Sequence, residues 1–197
     1  MIELLPIAPL MIEHRIIERM IHVVNIELEI IQNSNRLNSL FIDDTVDFIR
    51  TYADLTHHGK EEDILFKGLK EKQLDSKHRI LLNELIEEHV LGRKTIGDLV
   101  KAQEQYLQNN DEAIGTVITK LSDLIDFYPK HIEKEDKRFF VPIMKYFSKV
   151  EQDRMLEEGH IYDRKMIHRK YDSYVLSLEE RYGIQKIKRP ENWLDYL

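Results

Sequence analysis

The sequence of 197 residues contains no cysteine, and this absence excludes several classes of functional site at once. Disulfide bonds, thiolate zinc sites, iron–sulfur clusters and cysteine nucleophiles all require that residue. Glycine and proline are scarce, with seven and five residues, which favours long helices. The 29 basic residues are outnumbered by 36 acidic ones, and the net charge of −7 argues against a nucleic-acid surface, which needs a basic face.

Long apolar runs are also missing, because no stretch reaches the length of a membrane span. The first residues lack a basic region before their apolar stretch, so a signal peptide is not predicted. The remaining composition, 42% hydrophobic and 33% charged, is sufficient for a folded core. We therefore expect a soluble cytoplasmic protein with neither a nucleic-acid partner nor a membrane partner.

What the sequence does contain is a helical pattern, with apolar residues recurring at intervals of three and four almost throughout. The pattern predicts an all-α fold, an up-down-up-down bundle of four helices joined by short connections. Pro129 and Pro142 are expected to kink or divide the fourth helix. The predicted helices run from about Ala8 to Gln32, from a cap at Asp43 or Asp44 to near Lys70, from a cap at Asp75 or Ser76 to about Leu107, and from beyond Asn109–Asp111 to about Ile143.

A further amphipathic segment follows the bundle. The sequence predicts a bundle domain over residues 1–147 and a C-terminal helical extension and tail over residues 148–197. The helical part runs from about Ser148 to Arg181, and the tail contains Pro190 and Trp193. Its apolar face must pack on the bundle or on another chain, so a homodimer formed through the C-terminal helix is one expectation.

Polar residues interrupt the apolar stripe of every bundle helix. A buried glutamate is costly unless it is paired or bound to a metal, so two of them within one bundle require cations. Imidazole and carboxylate ligands suit iron, manganese or zinc. The interrupting residues are His14 on the first helix, His57 and Glu61 on the second, His89 on the third, and His131 and Glu135 on the fourth.

The spacing of the four histidines tests whether they can meet. Successive separations are 43, 32 and 42 residues. An up-and-down bundle gives such a long, short, long alternation to residues that share one height. The difference between long and short separations places the site about five residues, or roughly 7 Å, from the middle of the helices. The site is predicted toward the turn between the second and third helices.

The residues around these positions resemble a known family. HHGKEEDILF at residues 57–66 and HIEKED at residues 131–136 are similar to the two signature helices of the hemerythrin-like family, the HHE cation-binding domains. Residues 88–89, with Arg93 one turn later, and residues 13–15 look like the family's other two ligand helices. The resemblance covers roughly residues 8 to 147.

The resemblance implies a four-helix bundle around two non-haem irons with an oxo or hydroxo bridge, in which manganese or zinc could substitute. It implies four terminal ligands, His14, His57, His89 and His131, and two bridging carboxylates, Glu61 and Glu135. Oxygen-carrying hemerythrins have a fifth histidine four residues from another on the third helix, where this chain has Leu85 and Arg93. That departure argues against reversible oxygen carriage and favours relatives with four histidines, including di-iron proteins linked to nitrosative stress and iron–sulfur repair.

Other interpretations of these residues stay open at this point. Any one histidine in an apolar stripe is more often a hydrogen-bonded core residue than a ligand. Tyr52 and Tyr128 can approach the metals or simply pack. The alternates for a register error of one residue are His58, Glu62 and Asp136, and the histidines interpreted as surface or partner contacts are His22, His78, His160 and His168.

The ligand count predicts reactivity, because two histidines and two shared carboxylates leave each octahedral iron an open position. We expect a non-haem di-iron protein that binds or reduces dioxygen, nitric oxide or peroxide, with a role in the oxygen, redox or nitrosative response. Such a protein could be a di-iron oxidoreductase. The alternatives are an iron- or oxygen-responsive sensor or interaction module, and a metal store.

Overall fold

The computed structural model describes residues 5–163 and 167–184, apart from the side chain of Arg169. Within these ranges the chain forms helices and contains no strand, as the sequence predicts. None of the described helices combines the length and the apolarity that a membrane span needs. The helices are α1 (Ala8–Ser34), α2 (Ser39–Phe48, continuing through Ile49–His58 and Glu61–Phe66 to Lys67–Lys70), α3 (Ser76–Leu107), α4 (Ala113–Lys134, continuing through Glu135–Phe139 and Phe140–Ile143 to Met144–Tyr146), α5 (Lys149–Asp163) and α6 (Ile167–Arg181).

Polar residues set the helix ends. Asn35 adopts a left-handed conformation with φ of 50° and ends α1 by donating its backbone N–H to the carbonyl of Ile31. The side chain of Asp75 caps α3 by accepting a hydrogen bond from the backbone N–H of His78, as predicted. The predicted cap of α2 at Asp43 or Asp44 is wrong, because the helix begins at Ser39 and Asn38 caps it.

The first four helices form the predicted bundle, in which α4 packs against both α1 and α3. Measured along the chain, His57 lies 18 residues after Ser39 and 13 before Lys70. His89 lies 13 residues after Ser76 and 18 before Leu107. The two histidines therefore share one height, nearer the α2–α3 turn, as the spacing predicts.

Two of the helices change their winding beside the predicted ligands. In α2 the π-helical form, with hydrogen bonds to the fifth residue, covers Ile49–His58 and Glu61–Phe66. In α4 it covers Glu135–Phe139. The α-helix passes through Pro129 without ending there, so the change of winding in α4 coincides with Glu135 rather than with the first proline.

The two C-terminal helices pack on the bundle. Tyr171, Val175 and Leu178 of α6 are buried in the same apolar core as residues of α1 and α2. Met155 of α5 is buried in a second apolar core beyond the predicted site. The extension thus packs apolar residues on one side of the bundle. The sequence left open whether this apolar face packs on the bundle or on a second chain. The predicted tail beyond residue 184 lies outside the described residues.

Candidate metal centre

The six predicted ligands meet in the interior of the bundle, and all of them are buried. Together with His58 they fall into two groups, within each of which one nitrogen or oxygen atom per residue lies within 4.8 Å of the others. Glu61 belongs to both groups. The first group is His14, His57, Glu61 and Glu135, and the second is His58, Glu61, His89 and His131.

Each glutamate lies between histidines of two different helices. The Glu135 carboxylate has its Oε2 atom 3.1 Å from Nε2 of His14 and 3.4 Å from Nε2 of His131. Glu61 has Oε1 3.5 Å from Nε2 of His57 and Oε2 3.3 Å from Nε2 of His89. Carboxylates placed between two sets of imidazoles have the arrangement that bridging ligands need.

His58 joins the site, where the sequence predicts His57 as the ligand and His58 only as its alternate. It is 3% exposed, and its ring stacks on that of His89 with 3.8 Å between centroids. The prediction assumed about 100° of rotation per residue, as in an α-helix. In the wider π-helical turn successive residues are closer in angle, so His57 and His58 both face inward. The site therefore contains a fifth histidine, from α2 rather than from α3.

The atoms facing the centre of the site approach one another at 3.1–3.5 Å, but none of these contacts has the geometry of a hydrogen bond, and within the described part of the chain the atoms have no other partner. Buried polar atoms in proteins are nearly always satisfied, so a cluster of orphans requires an explanation. The site suits metal ions, because imidazole nitrogens and carboxylate oxygens would complete the coordination of iron, manganese or zinc. The nine orphan atoms are Nε2 of His14, His57, His58, His89 and His131 and both carboxylate oxygens of Glu61 and Glu135.

The opposite ring nitrogen of each of the four predicted histidine ligands bonds to a carboxylate from another helix. An acceptor at Nδ1 places the ring proton there and leaves Nε2 free to bind a metal. The four contacts form a closed ring around the bundle, in which each helix orients the histidine of the next. They are Glu13 to His57 at 2.7 Å, Glu62 to His89 at 2.7 Å, Glu88 to His131 at 2.8 Å and Asp136 to His14 at 2.8 Å.

A basic residue pairs with each of these carboxylates, so the site has four arms, each made of a histidine, a carboxylate and a cation. Glu62 and Asp136, which were alternates for the ligands, belong to this second layer. Arg93, at the position of the carriers' fifth histidine, is one of the cations. The pairs are Lys60 with Glu13, Arg93 with Glu62 at 2.7 Å, Lys134 with Glu88 at 2.5 Å and Arg15 with Asp136 at 2.5 Å.

The site attracts positive charge strongly. Burial alone would lower the pKa of His14, but the Asp136 and Glu135 carboxylates outweigh it and raise that pKa to about 10. His89 shows the same balance with Glu61 and Glu62, and its pKa is raised to about 10. These protons occupy the place that metal cations would take.

The arm of His57 continues under the C-terminal helices. Lys60 also donates to Asp163 of α5 at 2.8 Å, and Asp163 bonds to His168 of α6. Sequence patterns alone did not reveal this connection, because Asp163 and His168 lie outside the bundle and about a hundred residues beyond Lys60. The prediction that His168 lies at the surface is wrong, since it is 4% exposed.

The predictions for the other histidines and for Tyr128 have different outcomes. His22 and His160 are exposed as predicted. His78 is buried instead, where its ring bonds to the Tyr146 hydroxyl at 2.9 Å. Tyr128 is buried among the apolar side chains of the core.

A comparison with protein families accounts for this arrangement. The model of the hemerythrin HHE cation-binding domain matches residues 5–141. The chain belongs to the hemerythrin family. Within this hemerythrin-like chain the match spans all six predicted ligands and ends before α5, so the C-terminal helices lie outside the family's domain. No curated protein and no solved structure matches the chain.

Proposed function

We propose that the buried cluster holds two iron ions, bridged by Glu61 and Glu135, and that the protein binds or reduces a small molecule there. The nine orphan atoms at the centre of a hemerythrin-like bundle carry this proposal. His14 and His57 would serve one ion, and His89 and His131 the other. His58 would add a third imidazole to the second ion, which gives the two ions unequal numbers of protein ligands.

Iron in this ligand set supplies reversible one-electron chemistry and open positions for a small ligand. We propose dioxygen, nitric oxide or peroxide as that ligand, because the bundle interior around the site is apolar. A cavity of about 100 Å³ reaches the cluster at His58 and is also lined by Asp54, Arg93 and Tyr128. Its size suits a molecule of two or three atoms rather than a metabolite. With His58 the cluster offers five histidines, so the argument against reversible oxygen carriage that rested on Leu85 and Arg93 no longer holds.

Reaction of the reduced, iron-loaded protein with each gas in a stopped-flow spectrometer tests this function. Iron content close to two per chain and a near-ultraviolet band of a bridged ferric pair are expected after oxidation. Oxidation by dioxygen or peroxide, or binding of nitric oxide by the ferrous form, would support the proposal. A folded protein that binds fewer than two irons after reconstitution, or a loaded protein inert to all three molecules, would contradict it.

One observation favours a second function, that of a metal-responsive sensor. Lys60 bonds to both Glu13, which orients His57, and Asp163 in α5, so occupancy of the site can alter the docking of the C-terminal helices. Hydrogen exchange in α5 and α6 should then slow when metal binds. Identical exchange in the metal-free and loaded protein would exclude this role.

A further inference from the structure

Tyr52 is a fully buried tyrosine on the helix that carries three of the site residues. It lies five residues before His57, which is one turn of the π-helical segment. Its hydroxyl lies 3.1 Å from Nδ1 of His168, in a contact that is buried on both sides. A buried phenol usually finds such a partner, but here the partner is a base rather than a backbone carbonyl.

The other ring nitrogen of His168 defines how the pair is protonated. Nε2 bonds to a carboxylate oxygen of Asp163, which also accepts a hydrogen bond from Lys60. Because the carboxylate only accepts, Nε2 carries a proton, and in the neutral ring Nδ1 then presents its lone pair to the phenol of Tyr52. Tyr52 therefore donates to a histidine that a carboxylate orients, which is the geometry of a poised proton acceptor.

Polar contacts connect this triad to the metal centre. Nε2 of His168 lies 3.6 Å from Oε1 of Glu13. The second oxygen of Glu13 accepts from Nδ1 of His57 at 2.7 Å. Tyr52 is thus connected to the candidate ligand His57 in two ways. One is a turn of α2, and the other is the chain of polar contacts through His168 and Glu13.

We propose that Tyr52 is a redox-active tyrosine, which gives one electron to the reaction at the metal centre while its phenolic proton passes to Nδ1 of His168. This inference rests on the proposed function and names a further participant in it. Burial and the nearby Glu13 and Asp163 carboxylates raise the pKa of Tyr52, so a free phenolate is not available. The electron must leave together with the proton, and the proton acceptor, Nδ1 of His168, is already in contact with the Tyr52 hydroxyl.

The step balances for reduction of dioxygen to two waters, which takes four electrons and four protons. Two ferrous ions supply two electrons, Tyr52 supplies one, and excess ferrous iron in solution supplies the fourth. The O–O bond breaks, and solvent provides the four protons. The O–H bond of Tyr52 breaks as an N–H bond forms at His168, which would leave two ferric ions at the site, a third ferric ion in solution, a neutral tyrosyl radical and an imidazolium.

The chain contains a matched control in Tyr128. This tyrosine is also buried on a helix that carries site residues, three positions before His131. It borders the cavity beside His58, and within the described residues no histidine bonds to its hydroxyl. If proximity to iron alone produced a radical, Tyr128 would serve as well as Tyr52.

The test mixes the reduced, iron-loaded full chain with dioxygen and excess ferrous iron, followed by freezing and electron paramagnetic resonance. A tyrosyl radical is expected, with hyperfine splitting that collapses when the protein contains ring-deuterated tyrosine. Tyr52→Phe should abolish it, whereas Tyr128→Phe should keep a tyrosyl radical of the same spectrum, whatever its effect on ligand entry through the cavity that Tyr128 lines. His168→Asn keeps a polar group near the phenol but cannot take the proton, so radical formation should slow by about tenfold or more.

The outcomes separate this inference from the proposed function. Iron that is oxidised normally without a tyrosyl radical would overturn the inference alone, as would a radical that survives Tyr52→Phe. A radical whose rate His168→Asn does not change would remove the proton acceptor from the proposal and so overturn it as stated. A chain that binds no iron, or whose iron does not react, would overturn both.

Discussion

The four arms of the candidate metal centre share one design but differ in how deeply they are buried. In the arm of His57, the cation Lys60 is 4% exposed, whereas Arg93 and Arg15 in two other arms are 40% and 49% exposed. Lys134 in the remaining arm is 17% exposed. Water screens an exposed ion pair and weakens it, while a buried pair interacts strongly and is costly to break.

This difference follows from the C-terminal helices. Among the residues that the structure describes, only the arm of His57 is covered by α5 and α6, where Asp163 and His168 extend its chain of contacts. The other three arms end near the surface of the bundle and need only orient their histidines. One design therefore serves two purposes: the exposed arms fix the ligands, and the buried arm also joins the site to the rest of the molecule.

The largest effect is expected where all four arms converge. Glu61→Ala or Glu135→Ala should reduce the iron content from two ions per chain to nearly none, because each carboxylate would touch both ions. Metal analysis of the folded fraction measures this. The matched control is Glu133→Ala, which removes an exposed carboxylate two residues from Glu135. Full iron content in both ligand variants would show that other residues bind the metal.

The next largest effect should be on the free energy of unfolding, and it should differ between the buried arm of Lys60 and the more exposed arm of Lys134. Lys60→Met leaves Glu13 and Asp163 buried without their cation, so the free energy of unfolding should fall by about 3–5 kcal/mol. Lys134→Met removes a partly exposed cation, and about 0–1 kcal/mol is expected. Urea denaturation of the metal-free variants gives both values. Equal losses would mean that burial does not distinguish the arms.

A smaller effect is expected from His58, which borders the cavity and whose Nδ1 atom makes only a 3.4 Å contact with Asp54 of its own helix. His58→Ala should weaken binding of one ion by about 10- to 100-fold, the range found for groups that support a metal site, and leave the other ion in place. Titration with ferrous or cobalt ions would show two unequal affinities. Two ions that bind as in the unchanged chain would place His58 outside the coordination.

Proton release should give the smallest signal and concerns His14 and His89. Because the pKa values of His14 and His89 are about 10, both rings are protonated at neutral pH in the metal-free chain. Metal binding must displace these protons, so affinity should rise with pH up to about 10. Calorimetry in buffers of different ionisation enthalpy counts the protons. Metal uptake without proton release at pH 7 would contradict the raised pKa values.

The sequence predicts the bundle and six residues of the site well, because both depend on helical periodicity. His14, His57, His89 and His131 interrupt apolar stripes at matching heights, and simple spacing brings them together. His58 could not be placed in this way, since the π-helical winding of α2 changes the angle between neighbouring residues. The consecutive pairs His57–His58 and Glu61–Glu62 were the available signal that two faces of this helix take part.

The buried arm is the part that no local pattern predicts. Lys60 and Asp163 are separated by a hundred residues, and their contact depends on how α5 packs against α2. A lysine beside a ligand would usually be solvated, and a histidine in an amphipathic helix gives no indication of the tyrosine it contacts. Tertiary packing alone brings Tyr52 and Asp163 into contact with the two ring nitrogens of His168.

A crystal structure of the iron-loaded chain, with anomalous scattering measured at the iron absorption edge, tests the central claim most directly. The account predicts two anomalous peaks between Glu61 and Glu135, one beside His14 and His57 and the other beside His58, His89 and His131. A single peak, or peaks that lie away from these side chains, would contradict it.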